Sequence, residues 1–289
     1  APQLKEVDDN RILKNMASAP AAWNSLIHKI TGPSFTVTTA CSSGPYAMHA
    51  AFHLIQSGQC DIVVAGAADS ALSYLDVQGF CSLHALSERN DDPPSASRPF
   101  DKTRDGFVMA EGGGILVLES MDFALKRNAD IYCAMFMPGL GSEAYNIMSP
   151  APEGAGMARA MKTALANAKI DSSKIDYINA HGTSTVLNDR YETMAIKEIF
   201  REQAYQIPVS STKSMTGHCL SAAAGVEAVI TIKSLQENVI PPTVNLTEPD
   251  EELDLDYVAN KPREKKLKNV MSNSFAFGGQ NGVCIFSRE

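Results

Sequence analysis

Short apolar runs rich in β-branched residues alternate along this chain with longer, alanine-rich stretches of helical period, which is the pattern of an α/β architecture. Residues 34–39 (SFTVTT) read as a strand and 45–56 as a helix, followed by strands over 61–65 (DIVVA) and 114–119 (GILVLE). Asn90, Asp91, Asp92, Pro93 and Pro94 mark a loop between the last two. Residues 156–168 have the period of an amphipathic helix, and the strand 175–180 (IDYINA) runs directly into His181. A helix over 189–200, a short strand over 208–212 and a long helix over 219–235 follow. Strands over 270–275 and 283–286, joined by the glycine-rich 278–282, predict a closing hairpin.

The order of these elements repeats weakly. SFTVTT leads to Cys41 and an alanine-rich helix; PVSST leads through a short loop to His218 and another. Two copies of one α/β unit place Cys41 and His218 at equivalent helix starts, with a division into 1–112 and 113–289. Roughly 105 residues then precede His218 in its copy against 40 before Cys41, so about 65 residues of the first copy are expected to lie outside this sequence. The chain reads as the C-terminal part of a larger fold.

Composition narrows the function classes. Apolar residues make up 44% and charged residues 20% of the 289, an ordinary globular balance. Twenty-five basic against 33 acidic side chains give a net charge of -8, and without a basic tract nucleic-acid binding is not expected. No apolar run reaches the length of a membrane span, and the polar, acidic start does not read as a signal peptide. The six cysteines show no C-x-x-C pair, so neither a disulfide scaffold nor a zinc site is expected, and a reducing cytoplasm fits.

Cys41 stands apart from the other five. It lies in TACSSGP between a strand and a helix, with Pro45 suited to the first helical turn. At a helix N-terminus the macrodipole favours an anion, which predicts a lowered thiol pKa, and free backbone N–H groups there can serve as an oxyanion hole. A buried structural cysteine at a tight turn is the plainer reading. His181 ends an apolar strand in HGTST, and His218 lies between a strand and a helix in KSMTGH; both therefore face strand ends, where open α/β sheets place ligands. Either alone fits a satisfied core histidine, and Lys213 alone fits a surface lysine. Ser274–Gly279 is a turn whose glycines, Gly278 and Gly279, supply positive φ and free a backbone N–H, beside a large aromatic, Phe277, placed to gate.

Together TACSSG, HGTST, KSMTGH and NSFAFGGQN, in that order, resemble the β-ketoacyl-acyl carrier protein synthases of the thiolase-like superfamily. ALSERND, SRPFDKTRDGF and EGGG add to the likeness, which runs from about Asn10 onward. The wording of HGTST and KSMTGH is similar to that of the elongating, dissociated fatty-acid type. The resemblance implies a layered α-β-α-β-α fold of two pseudo-symmetric halves, the first here lacking its N-terminal part. It implies that Cys41 accepts an acyl group from acyl carrier protein. His181 and His218 then promote decarboxylation of malonyl-acyl carrier protein and hold the enolate oxygen. The same resemblance implies that backbone N–H groups of Cys41 and Phe277 form the oxyanion hole, that Lys213 orients His181 with Glu227 as its partner, and that Thr183 and Thr185 meet the pantetheine arm. No cofactor or metal is implied beyond the phosphopantetheine carried by acyl carrier protein, and the family is usually homodimeric. Ala110, Val186, Ala276 and Gln280 depart from common family residues. A condensing enzyme of a specialised polyketide-type pathway, a catalytically silent chain-length partner, a degradative thiolase and a cysteine hydrolase are the other readings; the silent partners generally lack the nucleophile.

Overall fold

The structure, a computed structural model, describes residues 11–14 and 16–288. The acidic N-terminal stretch discussed above lies outside the described residues. Two compact units are present, Ala1–Thr38 and Thr39–Glu289. The first holds a helical turn, α1 (Arg11–Lys14), and α2 (Ala19–His28), which opens with a proline and ends at a left-handed Lys29 whose N–H bonds Ser25 O. Residues 34–38 form no strand, contrary to the alternation of SFTVTT, because that segment finds no ladder among the described residues, and alternation without a partner does not make a strand.

The second unit carries α3 (Ser43–Gln56), β1 (Ile62–Asp69), α4 (Tyr74–Ser82), β2 (Gly112–Glu119), α5 (Met121–Lys126), β3 (Ala134–Met135) and β4 (Gly139–Ser142). It continues with α6 (Ala155–Ala168), β5 (Tyr177–Asn179), α7 (Val186–Phe200), β6 (Val209–Ser210), the turn α8 (Lys213–Thr216) and α9 (Ala223–Glu237). β7 (Val239–Ile240), β8 (Arg263–Glu264), β9 (Asn269–Phe275) and β10 (Gln280–Ser287) complete it. β1 and β2 pair antiparallel along their whole length, Ile62 opposite Glu119 and Asp69 opposite Gly112. The larger sheet runs β3-β10-β9-β5-β6, with β4 also on β10; β5 is parallel to β6 and β9, and β9 is antiparallel to β10 as the hairpin signal predicts.

Neighbouring residues of the larger sheet point to opposite faces, and both faces are covered, which is why β5 and β9 are buried at every position rather than at alternate ones. On one face Tyr177, Val270, Cys284 and Phe286 meet Met48 of α3 and Ala228, Ile232 and Leu235 of α9. On the other, Ile178, Met271, Val283 and Ile285 meet Met157 and Met161 of α6 and Ile196 of α7. Each such side chain, fully buried, contributes about 1.5–3 kcal/mol. The helices α3 and α9 also pack on β1 and β2, so the layers run β1/β2, α3/α9, larger sheet, α6/α7. This is an α/β fold with four of the five layers of the thiolase-like arrangement among the described residues. Ile62, Val64, Ile115 and Val117 lie exposed on β1 and β2.

The helix α9 packs closely on β1 and β2 because glycines meet there. A Cβ on Gly225 of α9 would lie 2.4 Å from Gly114 O and 2.9 Å from Ala67 N, and neither backbone atom can move without disturbing the β1–β2 ladder. Gly225→Ala is expected to lower stability by about 3 kcal/mol, the upper range for overpacking. A urea midpoint unchanged from the parent would contradict this close packing.

The long helix expected over 219–235 begins later. His218 N–H bonds Val108 O at 2.7 Å and Ala110 N–H bonds His218 O at 3.0 Å, a strand-like bridge that holds His218 out of helical conformation. A short 3₁₀ turn, Leu220–Ala222, then leads into α9.

Candidate active site

Cys41 sits on a strained turn just before α3. Ala40 has φ 46°, a left-handed value that costs a non-glycine residue of order 1–3 kcal/mol. Hydrogen bonds hold it there: Ser42 N–H to Thr39 O, Ser43 N–H to Ala40 O, and Ser43 Oγ to Ala40 O at 2.7 Å. The helix begins at Ser43, so the thiol lies at its N-terminal end, as the position of Pro45 predicts.

The thiol is buried, and this reverses one expectation. Desolvation pushes its pKa up to about 11, outweighing the lowering by the Lys213 charge and by the backbone N–H groups of Cys41 and Phe277. The N-terminal position therefore does not make the resting thiol acidic. Alkylation of Cys41 by iodoacetamide is expected to rise about tenfold per pH unit through the alkaline range, because the thiolate fraction grows until the pH reaches the raised pKa. Peptide mapping that showed the rate levelling below about pH 8.5, the range of an ordinary thiol, would contradict this.

His218 comes from the segment after α8. Its Nε2 lies 3.2 Å from Cys41 Sγ, its ring edge meets Phe107 at 5.1 Å between centroids, and its Nδ1 has no partner among the described residues. His181 follows β5, and its ring stands at 84° to that of His218 with centroids 5.4 Å apart. Burial pushes both imidazoles well below their ordinary pKa, helped by Lys213 and, for His181, by His218. Both are neutral near pH 7.

Lys213 fixes the state of His181. Its ammonium donates to His181 O at 2.7 Å, lies 3.2 Å from His181 Nδ1 and pairs with Glu227 of α9. An ammonium only donates, so Nδ1 accepts and Nε2 carries the ring hydrogen. Lys213 and Glu227 are both buried, and burial raises the Glu227 pKa against the pull of Lys213.

Phe277, Gly278 and Gly279 form the turn between β9 and β10, with Gly278 at φ 84° and Gly279 at φ 75°. Gly278 N–H is taken by Ile147 O and Gly279 N–H by Ala276 O, so the N–H facing the thiol is that of Phe277. The Phe277 side chain is 37% exposed. Thr183 and Thr185 share a 2.9 Å hydroxyl contact. Cys41, His181, His218, Thr183, Thr185 and the 277–279 turn all line one cavity of about 310 Å³, and Lys213 and Glu227 stand behind His181.

Sequence reasoning missed Glu192. This buried carboxylate on α7 accepts from His181 N–H at 2.9 Å, Gly182 N–H at 2.8 Å and Asn273 Nδ2 at 3.0 Å, tying the histidine loop to α7 and β9. Burial raises its pKa to about 7. Asp189, one turn earlier, accepts from Phe100 N–H and Ser184 N–H. The available signal was two acids at i and i+3 on the buried stripe of a helix that also carries Thr193 and Ile196. Phe107 and Met157 also line the cavity without a motif to announce them.

The family profile described as "Beta-ketoacyl synthase, N-terminal domain" matches residues 2–124, and "Beta-ketoacyl synthase, C-terminal domain" matches 133–247. The 3-oxoacyl-[acyl-carrier-protein] synthase 2 of Coxiella burnetii is 46% identical over 274 residues, 95% of this chain and 66% of the relative. A β-ketoacyl synthase from Burkholderia phymatum superposes with TM-score 0.92 and 39% identity over 98% of this chain and 68% of the other. A type II polyketide acyl-carrier protein in complex with its ketosynthase bound to the hexaketide gives TM-score 0.95 and 35% identity, over 98% and 70%. The chain thus spans just under two-thirds of the Coxiella relative's length.

Proposed function

The chain belongs to the β-ketoacyl synthase family, and from that premise we propose that it performs decarboxylative Claisen condensation, extending an acyl-enzyme with malonyl-acyl carrier protein to 3-oxoacyl-acyl carrier protein in fatty acid synthesis. The observation that carries the proposal is the convergence of the Cys41 thiol and two neutral imidazoles on one cavity, with two backbone N–H groups directed at the sulfur.

Cys41 attacks the thioester of an acyl-acyl carrier protein; the new C–S bond forms and the carrier's pantetheine thiol leaves with the Cys41 proton. His218, at hydrogen-bond distance, accepts and relays that proton, which lets a thiol of high pKa act as a nucleophile. Malonyl-acyl carrier protein then loses carbon dioxide, and the electron pair of the broken C–C bond passes into the thioester as an enolate. Hydrogen bonds from His181 Nε2–H, and from His218 Nε2–H once that ring, left with its hydrogen on Nδ1 by the relay, has shifted it to Nε2, stabilise its oxygen; the neutral state of both rings suits donation without protonating the carbanion. The carbanion attacks the acyl carbonyl, the oxyanion is held by the Cys41 and Phe277 N–H groups, and collapse expels the Cys41 thiolate. Decarboxylation supplies the carbanion, so the proposed chemistry uses no cofactor of the enzyme's own; the phosphopantetheine belongs to the carrier.

Acyl carrier protein is accordingly the proposed partner, with a homodimeric assembly in the cytoplasm. No described helix is long and apolar enough to cross a membrane. The likeness to a polyketide ketosynthase favours, as second reading, condensation in a specialised pathway. Incubation with acyl- and malonyl-acyl carrier proteins decides between them. A single two-carbon extension read by intact mass supports the first, repeated 3-oxo extension the second, and free acid without extension contradicts both.

A further inference from the structure

We propose that His49 and His53, one turn apart on α3, form a two-imidazole site for a divalent transition-metal ion of the zinc, nickel and copper class. Residues at i and i+4 share a helix face, and here the two Nε2 atoms lie 3.1 Å apart with ring centroids 4.7 Å apart. Two nitrogens bound to one metal at about 2.0–2.1 Å stand roughly 2.9 Å apart at a right angle and 3.3 Å apart at the tetrahedral angle. The observed spacing falls between those values.

The tautomer is also set for binding. His49 Nδ1 lies 3.0 Å from Pro138 O, and a carbonyl oxygen only accepts, so Nδ1 carries the hydrogen and Nε2 presents its lone pair. A metal-bound histidine is ordinarily oriented by this kind of bond from its other nitrogen. In the empty site that lone pair accepts the Nε2–H of His53. Metal takes its place when His53 moves that hydrogen to Nδ1, and because His53 is exposed, Nδ1–H meets water. Imidazole pairs suit these metals, with affinity rising from nickel to copper and falling again at zinc, and water fills the other positions.

A second cluster argues by contrast. The ligating atoms of Cys41, His181 and His218 lie within 4.8 Å of one another. There the Lys213 ammonium holds the hydrogen on His181 Nε2, where a metal needs a lone pair, and adds a positive charge beside the site. In the α3 pair the hydrogen between the two nitrogens sits on exposed His53, which can move it to Nδ1, and no ammonium holds it there among the described residues.

Calorimetric titration with nickel chloride tests the proposal on the parent protein and on the variants His49→Gln, His53→Gln and Cys41→Ser. One ion per chain is expected, with a raised melting temperature. Either glutamine variant is expected to weaken binding at least as much as loss of an outer-shell partner, roughly 10- to 100-fold, while Cys41→Ser retains it. Unchanged melting of His53→Gln in EDTA confirms that its fold is intact. Parent-like nickel affinity in His53→Gln, or loss of binding in Cys41→Ser, would overturn the assignment.

Discussion

Lys213→Met is expected to destabilise the protein by about 3–5 kcal/mol, since removing one member of a buried ion pair strands the other in a medium that solvates it poorly. Among the described residues one Glu227 carboxylate oxygen, Oε2, already lacks a partner, and loss of Lys213 would leave the other bare as well. The same substitution removes the donor to His181 O and Nδ1, freeing the ring to take the other tautomer. Stability and chemistry are therefore predicted to fall together. The double variant Lys213→Met/Glu227→Leu separates them: with no stranded charge it is expected to recover most of the stability but none of the condensation. Urea midpoints for both variants make the comparison. A double variant no more stable than the single one would show that the ion pair is not the source of the loss.

The second large effect concerns the two histidines, which occupy different places relative to the sulfur. His218 touches Cys41 Sγ, whereas His181 is held by Lys213 and Glu192 and reaches the cavity through Nε2. His181→Ala is thus expected to leave acylation of Cys41 in place while slowing its discharge by malonyl-acyl carrier protein about 10²- to 10⁴-fold. His218→Ala is expected to slow both steps. Single-turnover measurements read the two steps separately. Discharge at the parent rate in His181→Ala would remove that residue from the chemistry.

The elements that bury two faces were the most legible. Each of Tyr177–Asn179, Asn269–Phe275 and Gln280–Ser287 contains adjacent apolar residues, Tyr177–Ile178, Val270–Met271 and Val283–Phe286, and each became a strand of the larger sheet. SFTVTT has an equally good local pattern and formed no strand, because strand formation needs a neighbour that local sequence does not reveal. The late start of α9 has the same origin: the bonds from His218 to Val108 and Ala110 are contacts distant in sequence.

At the site, motifs on loops were readable because strand-to-helix turns with small residues are locally distinctive. Cys41, His181 and His218 come to one cavity from three loops that lead into helices, that of His181 directly after β5. Pairing across elements was not readable in that way. The Lys213–Glu227 contact joins a single helical turn to a helix beyond the His218 bridge, and it entered through family resemblance, not through spacing. Glu192 looked like one more acid on an amphipathic helix until its bonds to the His181 and Gly182 N–H groups placed it. The thiol pKa was misjudged because helix position is visible in sequence, whereas burial is set by everything packed around the sulfur.

The central claim is that Cys41 carries the growing acyl chain. Intact mass after incubation with a medium-chain acyl-acyl carrier protein tests it most directly, with Cys41→Ala alongside. One acyl group is expected on the parent and none on the variant, with return to the starting mass when malonyl-acyl carrier protein is added. An equal gain in Cys41→Ala, or an acyl group on the parent that malonyl-acyl carrier protein does not remove, would contradict it.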